Sequence, residues 1–397
     1  MQPTELKKGI YWVGAIDKSV RDFHGYSTPF GTTYNAYLLV DDKVVLFDTV
    51  AKGFASEMLA RIGEIIEPSK IDYIVVNHVE LDHSGSLPEI IDTVNPEKII
   101  CSTAGKKALL AHFHNEDWPY EVVATGQSIN TGKKNVKFIE TKMIHWPDSM
   151  FSYIEEDALL ISQDGFGLHW ATDKRFDDEV DQDELMQQAK KYYANILLLY
   201  SPLIQRALQN IRKMELKIDM IAPDHGPIWR TKPQVIFDLW DKWSRQETVD
   251  KAVVVYDTMW HSTEMMANAI VDGIRESGAE VMLMPLSEYH RSDVMTELLD
   301  CKAVVLGSAT LNNGMLPRMA DMITYLKGLR PVGKIGAAFG SYGWGGEAPR
   351  LLDAFLAEMK YESAGECLRV SYVPTDENLA DCVELGRKVG SMIKAQA

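Results

Sequence analysis

The sequence predicts an α/β protein with two domains, a layered αββα sandwich followed by a doubly wound parallel sheet. In the first part, strands that pair as hairpins are interleaved with helices, which is typical of a layered arrangement. From residue 252 onward, strands and helices alternate over about 145 residues, the pattern of parallel βα units. The charged stretch 244–251 separates the two parts, so we expect domains at 1–249 and 250–397.

The first domain begins with a hairpin pattern and continues with helices and short apolar strands. Two apolar runs flank Asp41-Asp42-Lys43 within residues 32–49, which predicts a β-hairpin. Residues 54–66 carry apolar side chains at helical spacing and predict a helix. Further strands are predicted over 71–76, Lys98–Ser102, Val136–Thr141, Ala158–Ser162 and Met220–Ala222, and a Trp-containing helix is predicted over Gln234–Thr248.

The second domain is a series of βα units. Apolar strands are predicted over 252–256, 281–285, 303–307 and 334–339, and helix patterns follow them. A series of this kind places helices on both faces of a parallel sheet and leaves the loops after the strands at one edge. The pattern is that of a flavodoxin-like fold.

Composition excludes several functional classes. Of the 397 residues, 46% are hydrophobic and 25% charged, and the net charge of −16 argues against nucleic acid or an anionic membrane surface as a partner. The four cysteines lie far apart without a C-x-x-C spacing, which excludes a rubredoxin-type or iron–sulfur site and is typical of a reducing compartment. We find no secretory apolar region and no long apolar run, and we therefore expect a cytoplasmic protein without a membrane span.

The segment 77–85 is the most informative part of the chain. It follows an apolar run and brings His78, Glu80, Asp82 and His83 within six residues. A buried strand that ends in such a cluster predicts metal ligands on the loop after it. The first three ligands alternate by two, so an extended backbone would project them to one side and direct His83 elsewhere, toward a second metal.

Three more residues of ligand type follow strands of the first domain. His145 comes after the strand ending at 141, Asp164 after the strand ending at 162, and His225 after Met220–Ala222. Each stands before turn residues, where a rigid scaffold presents functional groups. Four imidazoles and three carboxylates without a thiolate favour redox iron or manganese over structural zinc.

Three loops of the second domain converge at the predicted switch point of the sheet, where such folds bind ligands. The first loop opens a helix with hydroxyl side chains, which favours a phosphate, while the absence of a Walker A lysine and of G-x-G-x-x-G argues against ATP and dinucleotides. Trp260, Tyr342 and Trp344 offer flat apolar walls for an isoalloxazine ring. The predicted flavin-binding residues are Thr258, Met259, Trp260, His261, Ser262, Thr263, Ser308, Ala309, Thr310, Asn312, Asn313, Ser341, Tyr342, Gly343, Trp344, Gly345 and Gly346.

The chain as a whole resembles the flavodiiron proteins, also called A-type flavoproteins. The loop at 77–85 is similar to the metal loop of the metallo-β-lactamase fold, with Glu80 where zinc hydrolases carry a second histidine. The segments 21–26, 31–37, 145–150 and 192–195 add to the resemblance, and the flavin loops are similar to the FMN site of flavodoxins. Ala309 departs from the proline of the family pattern.

The resemblance implies a ligand set for a non-haem diiron centre. One iron would be held by His78, Glu80 and His145, the second by Asp82, His83 and His225, with Asp164 as the bridge. In some members the residue that matches His83 is replaced at the metal by water. The resemblance also implies that His24, Tyr26 and Tyr193 line the pocket, although aromatic packing accounts for the two tyrosines equally well.

The implied activity is reduction of O2 to water, of NO to N2O, or of both. Electrons would pass through FMN from an external rubredoxin or a flavin or deazaflavin reductant. The resemblance further implies a head-to-tail homodimer, with or without pairing into tetramers. Two alternatives stay open at this point: a zinc hydrolase of the metallo-β-lactamase fold fused to a redox domain, and an electron carrier that uses only the flavodoxin-like domain.

Overall fold

The computed structural model describes residues 2–395. These residues form two compact units, of which the first comprises 2–23, 28–192 and 200–241. The second unit comprises 24–27, 193–199 and the remainder from 242 onward. Two short segments of the amino-terminal half therefore pack with the second unit. The domain boundary between residues 249 and 250 stays a prediction.

The elements up to residue 244 are mostly short. The strands are β1 (Thr4–Lys7), β2 (Ile10–Trp12), β3 (Ala15–Asp17), β4 (Asp22–Phe23), β5 (Tyr26–Ser27), β6 (Thr32–Tyr34), β7 (Tyr37–Leu39), β8 (Val45–Phe47), β9 (Tyr73–Val76), β10 (Lys98–Ser102), β11 (Tyr120–Val123), β12 (Ser128–Asn130), β13 (Asn135–Glu140), β14 (Met150–Ile154), β15 (Leu159–Ile161) and β16 (Met220–Ala222). The α-helices are α1 (Ala55–Gly63), α2 (Leu81–Ser84), α3 (Leu87–Val94), α4 (Thr103–Phe113), α5 (Gln182–Tyr192), α6 (Ser201–Lys213) and α7 (Pro233–Ser244), and a π-helical turn covers Tyr193–Leu197.

The first unit contains two stacked sheets. One has the strand order β1-β2-β7-β8-β9-β10-β11 and the other the order β12-β13-β14-β15-β16. Strand β9 shows why its sequence is continuously apolar: Ile74 and Val76 belong to the core shared with α1 and α3, whereas Val75 belongs to the core between the sheets. A strand that is buried on both faces needs apolar residues at every position. The predicted layered sandwich is confirmed.

The second unit is an open sheet covered by helices. Its strands are β17 (Val249–Asp257), β18 (Glu280–Pro285), β19 (Cys301–Ser308), β20 (Thr310–Leu311), β21 (Gly314–Met315), β22 (Ile335–Tyr342), β23 (Glu362–Ser363) and β24 (Leu368–Ser371), and its helices are α8 (Ser262–Glu276), α9 (Arg291–Leu298), α10 (Pro317–Leu329), α11 (Glu347–Glu358) and α12 (Asp376–Ala395). The strands pair in parallel in the order β18-β17-β19-β22, with β23 and β24 both on β22. The predicted doubly wound parallel sheet is confirmed.

Several element boundaries differ from the sequence prediction. Helix α1 ends at Gly63 rather than at 66, and Glu67 is extended with ψ of 126°. Pro68 disfavours the helical conformation in the residue before it, which accounts for the early end. Strand β17 starts at Val249 rather than at 252, because an irregularity between Val249 and Ala252 lets the strand continue its pairing with β19.

No helix within residues 2–395 is long and apolar enough to cross a membrane.

Candidate metal centre and flavin pocket

The metal loop begins where β9 ends. Asn77 follows the strand, and the Asp48 carboxylate accepts hydrogen bonds from its backbone N–H and side-chain amide, both at 2.7 Å. The chain turns into α2 at Leu81, directly after Glu80. Asp82 and His83 therefore lie on a helical turn. The expectation that Asp82 projects to the same side as His78 and Glu80 on an extended backbone is wrong for this reason.

The other predicted ligands come from the ends of neighbouring strands. Asp164 follows β15 and His225 follows β16, and these two strands pair in parallel, so their carboxyl ends coincide. Gln163 fixes the approach of Asp164: its side-chain carbonyl accepts from the backbone N–H of Asp164, and its amide donates to the carbonyl of Ile144 beside His145. His145, Asp164 and His225 therefore come from three separate strand ends and lie close together in the structure.

The structure brings all seven predicted ligands together as two groups. The first contains His78, Glu80, His145 and Asp164, whose ligand atoms all lie within 4.8 Å of one another. Nε2 of His145 lies 3.1 Å from the Glu80 carboxylate and 2.9 Å from Oδ2 of Asp164. Nε2 of His78 lies 3.3 Å from Glu80 and 3.5 Å from the same Oδ2. Four donor atoms thus face a common centre.

The second group contains Asp82, His83 and His225. Nε2 of His83 lies 3.3 Å from Oδ2 of Asp82, and Nε2 of His225 lies 3.1 Å from the same oxygen. Both rings also face Oδ1 of Asp164, at 3.0 Å and 3.4 Å. Asp164 therefore presents one oxygen to each group, the arrangement of a carboxylate that bridges two metals.

The ligand atoms of the two groups are arranged for binding metal ions rather than for hydrogen bonds with one another. Both carboxylate oxygens of Asp82 are buried and lack a hydrogen-bond partner among residues 2–395. Its Oδ2 instead faces the imidazole nitrogens of His83 and His225 without making a hydrogen bond to either, and buried charges in proteins are paired or coordinate a metal. Imidazole and carboxylate donors without sulfur are the ligand types that non-haem iron takes.

Without metal, the clustered charges shift the titration of the ligands. Burial favours the neutral ring of His83, but the carboxylates of Asp82 and Asp164 outweigh it and raise the pKa of His83 to about 10. Burial likewise opposes the charged form of Asp164, but His83 and His145 hold the pKa of Asp164 well below its ordinary value. In the metal-free centre His83 therefore keeps a proton on the nitrogen where a metal would take its place.

The Nδ1 atoms of two predicted ligand histidines contact residues that sequence reasoning missed. The Asp148 carboxylate lies 3.0 Å from Nδ1 of His78 and accepts from the backbone N–H of Val79 at 2.7 Å. Nδ1 of His225 donates to the carbonyl of Thr33 at 2.6 Å. Such partners fix the tautomer in which Nε2 is free for a metal. Asp148 follows a proline and resembles a turn residue in sequence, so only its three-dimensional position reveals this contact.

His169 is another buried histidine that the sequence did not single out. Its Nδ1 lies 2.7 Å from the Thr32 hydroxyl, and its ring centroid lies 4.5 Å from that of His225. The segment before it has no strand and thus gave no signal of a site. His24, Tyr26 and Tyr193, in contrast, fall in the segments of the second unit, with His24 exposed and both tyrosines buried. Their role in the pocket stays a prediction.

The second unit contains a cavity of about 650 Å³ at the carboxyl ends of its strands. This size is within the range of cofactor sites. Most of the predicted flavin residues line the cavity, whereas Thr258, His261, Thr263, Ser308 and Gly346 are not among the lining residues. The lining residues are Met259, Trp260, Ser262, Ala309, Thr310, Leu311, Asn312, Asn313, Ser341, Tyr342, Gly343, Trp344, Gly345, Glu347, Tyr372 and Val373.

The loop at the start of α8 fits a phosphate. The Thr258 hydroxyl is buried, and it neither accepts nor donates a hydrogen bond within the described part of the chain. A free hydroxyl beside the amino terminus of a long helix is a donor for an anion. Tyr372 and Val373 form an additional wall that the sequence prediction lacked, although the short strand β24 that ends directly before them was a usable signal.

Comparison with known proteins extends over the whole chain. Residues 32–226 match the ODP family beta lactamase model, and residues 254–386 match the flavodoxin model. The nitric oxide reductase of Moorella thermoacetica is 48% identical over 395 residues, covering 99% of both chains. The rubredoxin-oxygen oxidoreductase of Megalodesulfovibrio gigas is 42% identical over 399 residues, covering 100% of this chain and 99% of the relative.

Solved structures agree with these matches. The rubredoxin oxygen:oxidoreductase of Desulfovibrio gigas superposes with a TM-score of 0.97 at 42% identity and covers 100% of this chain and 99% of that one. The flavodiiron protein of Giardia intestinalis superposes with a TM-score of 0.96 at 34% identity, covering 100% and 97%. This chain belongs to the flavodiiron protein family.

Proposed function

We propose that the protein is an oxidoreductase that reduces O2, NO or both at a diiron centre, with electrons delivered through FMN. The observation that carries the proposal is the division of the Asp164 carboxylate, with Oδ2 facing His78 and His145 and Oδ1 facing His83 and His225. The predicted cofactors and the oxidoreductase class are confirmed at the level of the family.

The residues of the centre hold and orient the metals. When bound, the two irons and the FMN supply the electrons for reducing the small substrate. Glu80 stands where zinc hydrolases of this fold carry a histidine, and its carboxylate adds negative charge to the centre. This charge stabilises the oxidised states of iron, so the ligand set favours iron over zinc. Asp148 and the carbonyl of Thr33 keep the rings of His78 and His225 in the ligating tautomer. Burial of the ligands excludes bulk water from the centre.

The electron donor is an external protein or flavin reductant in this proposal. The names of the relatives support a rubredoxin as donor, since two of them are a rubredoxin-oxygen oxidoreductase and an anaerobic nitric oxide reductase flavorubredoxin. The flavorubredoxin of Vibrio vulnificus is matched over 79% of its own length. The four cysteines of this chain are far apart in the sequence without a C-x-x-C spacing, and three are buried, so they offer no rubredoxin centre of their own.

We also propose a homodimer as the functional unit. The flavin cavity is rimmed by apolar side chains that are largely exposed: Trp260 at 80%, Trp344 at 92% and Tyr372 at 66%. Exposed apolar patches of this kind mark interaction sites. Sedimentation at micromolar concentration tests the assignment, with a dimer expected; a fully active monomer would contradict it.

Anaerobic stopped-flow measurements test the main proposal. The protein is reduced completely and mixed in separate experiments with O2 and with NO, while the flavin absorbance and the products are followed. We expect flavin oxidation together with formation of water or N2O. Metal analysis of the same preparation provides the control: two zincs per chain and hydrolytic turnover would reject the proposal in favour of a zinc hydrolase.

A further inference from the structure

Asp224 is a buried carboxylate without an assigned role. Its side chain is completely shielded from solvent, and neither oxygen has a hydrogen-bond partner anywhere in residues 2–395. Its backbone is well fixed, because its N–H donates to Gln163 and its carbonyl accepts from the N–H of Asn35. A buried polar group without a partner normally destabilises the fold, so its retention at this position requires another explanation.

The side chain of Asp224 is directed at His83. Its Oδ2 lies 3.5 Å from Nδ1 of His83, and that ring nitrogen also lacks a hydrogen-bond partner within the described chain. The opposite ring atom, Nε2, points at Oδ1 of Asp164 and Oδ2 of Asp82. The imidazole thus stands between a carboxylate behind it and the second metal position in front of it.

Two other predicted ligand histidines have a closer acceptor at Nδ1, the ring nitrogen that faces away from the metal position. Nδ1 of His78 meets Asp148 at 3.0 Å, and Nδ1 of His225 meets the Thr33 carbonyl at 2.6 Å. The contact of His83 is longer than a hydrogen bond. A small rotation of the ring or of the carboxylate would close it and give His83 the kind of acceptor at Nδ1 that His78 and His225 have.

We propose that Asp224 is a positioning residue that holds His83 in the ligating orientation at the second iron. This inference rests on the proposed function. A carboxyl oxygen behind Nδ1 retains the proton on that nitrogen and leaves the lone pair of Nε2 for the metal. Without this acceptor, the ring loses its preferred tautomer and orientation, and the second iron loses a ligand.

The test compares two substitutions. Asp224→Leu removes the acceptor by replacing both oxygens with methyl groups at the same branching, and Asp224→Asn retains one acceptor oxygen. Removing an unsatisfied buried carboxyl in favour of an apolar side chain is often neutral or stabilising, so the leucine variant is expected to fold. Asp177→Asn serves as a matched control, because Asp177 is also a buried carboxylate, and its side chain accepts hydrogen bonds from Arg230, Thr231 and Lys232 rather than from a ligand.

The measurement is anaerobic Fe²⁺ titration of the metal-free protein containing FMN, with ⁵⁷Fe Mössbauer spectra of the loaded protein. For Asp224→Leu we expect the second Fe²⁺ to bind about 10–100-fold more weakly than in the wild type, as is typical for loss of a ligand's outer partner. The first Fe²⁺ and the FMN content should not change. Asp224→Asn should recover part of the loss, and Asp177→Asn should leave the affinity of the second site within about threefold of the wild type.

A double-mutant cycle with His83→Ala separates positioning from a general effect on the fold. If Asp224 acts through His83, Asp224→Leu causes no further loss of second-site affinity when His83 is absent; independent effects would add. Additive losses, or a leucine variant with wild-type affinity and Mössbauer parameters, would overturn the inference. A wild-type protein that fails to bind two irons would instead reject the proposed function, so the two failures are distinguishable.

Discussion

The carboxylate of Asp164 places Oδ1 3.0 Å from Nε2 of His83, while its other oxygen lies 2.9 Å from Nε2 of His145. One side chain thereby connects two groups of ligands, and the metal loop after β9 contributes residues to both. Its two oxygens face different groups. A side chain with a single ligating atom therefore cannot replace this carboxylate. The two-metal character of the site depends on this residue.

Asp164→Asn is therefore expected to separate the two metal positions. An amide has the same shape but offers only one acceptor oxygen, so it cannot bridge. We expect iron content to fall toward one per chain, and consumption of O2 and NO to fall by at least about tenfold. Metal analysis and Mössbauer spectroscopy measure the change, with unchanged FMN content as the control. Two magnetically coupled irons in the variant would refute the bridging role.

Glu80→Ala is expected to affect the first metal position selectively. The Glu80 carboxylate lies 3.3 Å from His78 and 3.1 Å from His145, and it belongs to the first group only. Loss of a charged ligand should abolish most O2 and NO consumption while FMN remains bound. Flavin absorbance and iron analysis of one preparation measure both effects. Retained activity would favour an electron carrier that uses only the flavodoxin-like unit.

The residue pattern indicated the seven candidate ligands, whereas their predicted grouping came from the family resemblance. Strands Lys98–Ser102 and Met220–Ala222 were predicted to the residue, because apolar runs with clear ends define them. Spacing alone placed Asp82 on the same side of the chain as His78 and Glu80. This placement is wrong because a helix starts at Leu81, which the alternation of residues does not reveal. Only the family resemblance paired Asp82 with His83. Asp148 and Asp224 act through contacts distant in sequence, which no local pattern encodes.

Trp344→Ala is expected to weaken FMN binding. Trp344 lines the flavin cavity and is 92% exposed in the chain by itself, so its packing in the core is not at risk. An aromatic contact with a flat ring contributes about 0.5–1.5 kcal/mol, which corresponds to roughly a two- to tenfold weaker Kd. Fluorescence titration of the flavin-free protein with FMN measures the change. Iron content is the control, and an unchanged Kd would remove Trp344 from the site.

Stability of the metal-free protein is expected to depend on pH through His83. The folded pKa of His83, about 10, lies above its ordinary value, so the protonated ring contributes stability that is complete below about pH 6.5. This contribution is lost as the pH rises toward 10. Chelated protein should therefore lose thermal stability between neutral pH and pH 10 relative to His83→Ala.

The iron-loaded protein provides the control for this pH dependence. Iron replaces the protons of the imidazoles, so the loaded protein should lack the contribution of His83 protonation to the pH profile. Thermal unfolding from pH 6 to 10 is followed by circular dichroism for the chelated and loaded forms of the wild type and of His83→Ala. Parallel profiles for the chelated wild type and the chelated variant would show that His83 is not protonated in the metal-free centre.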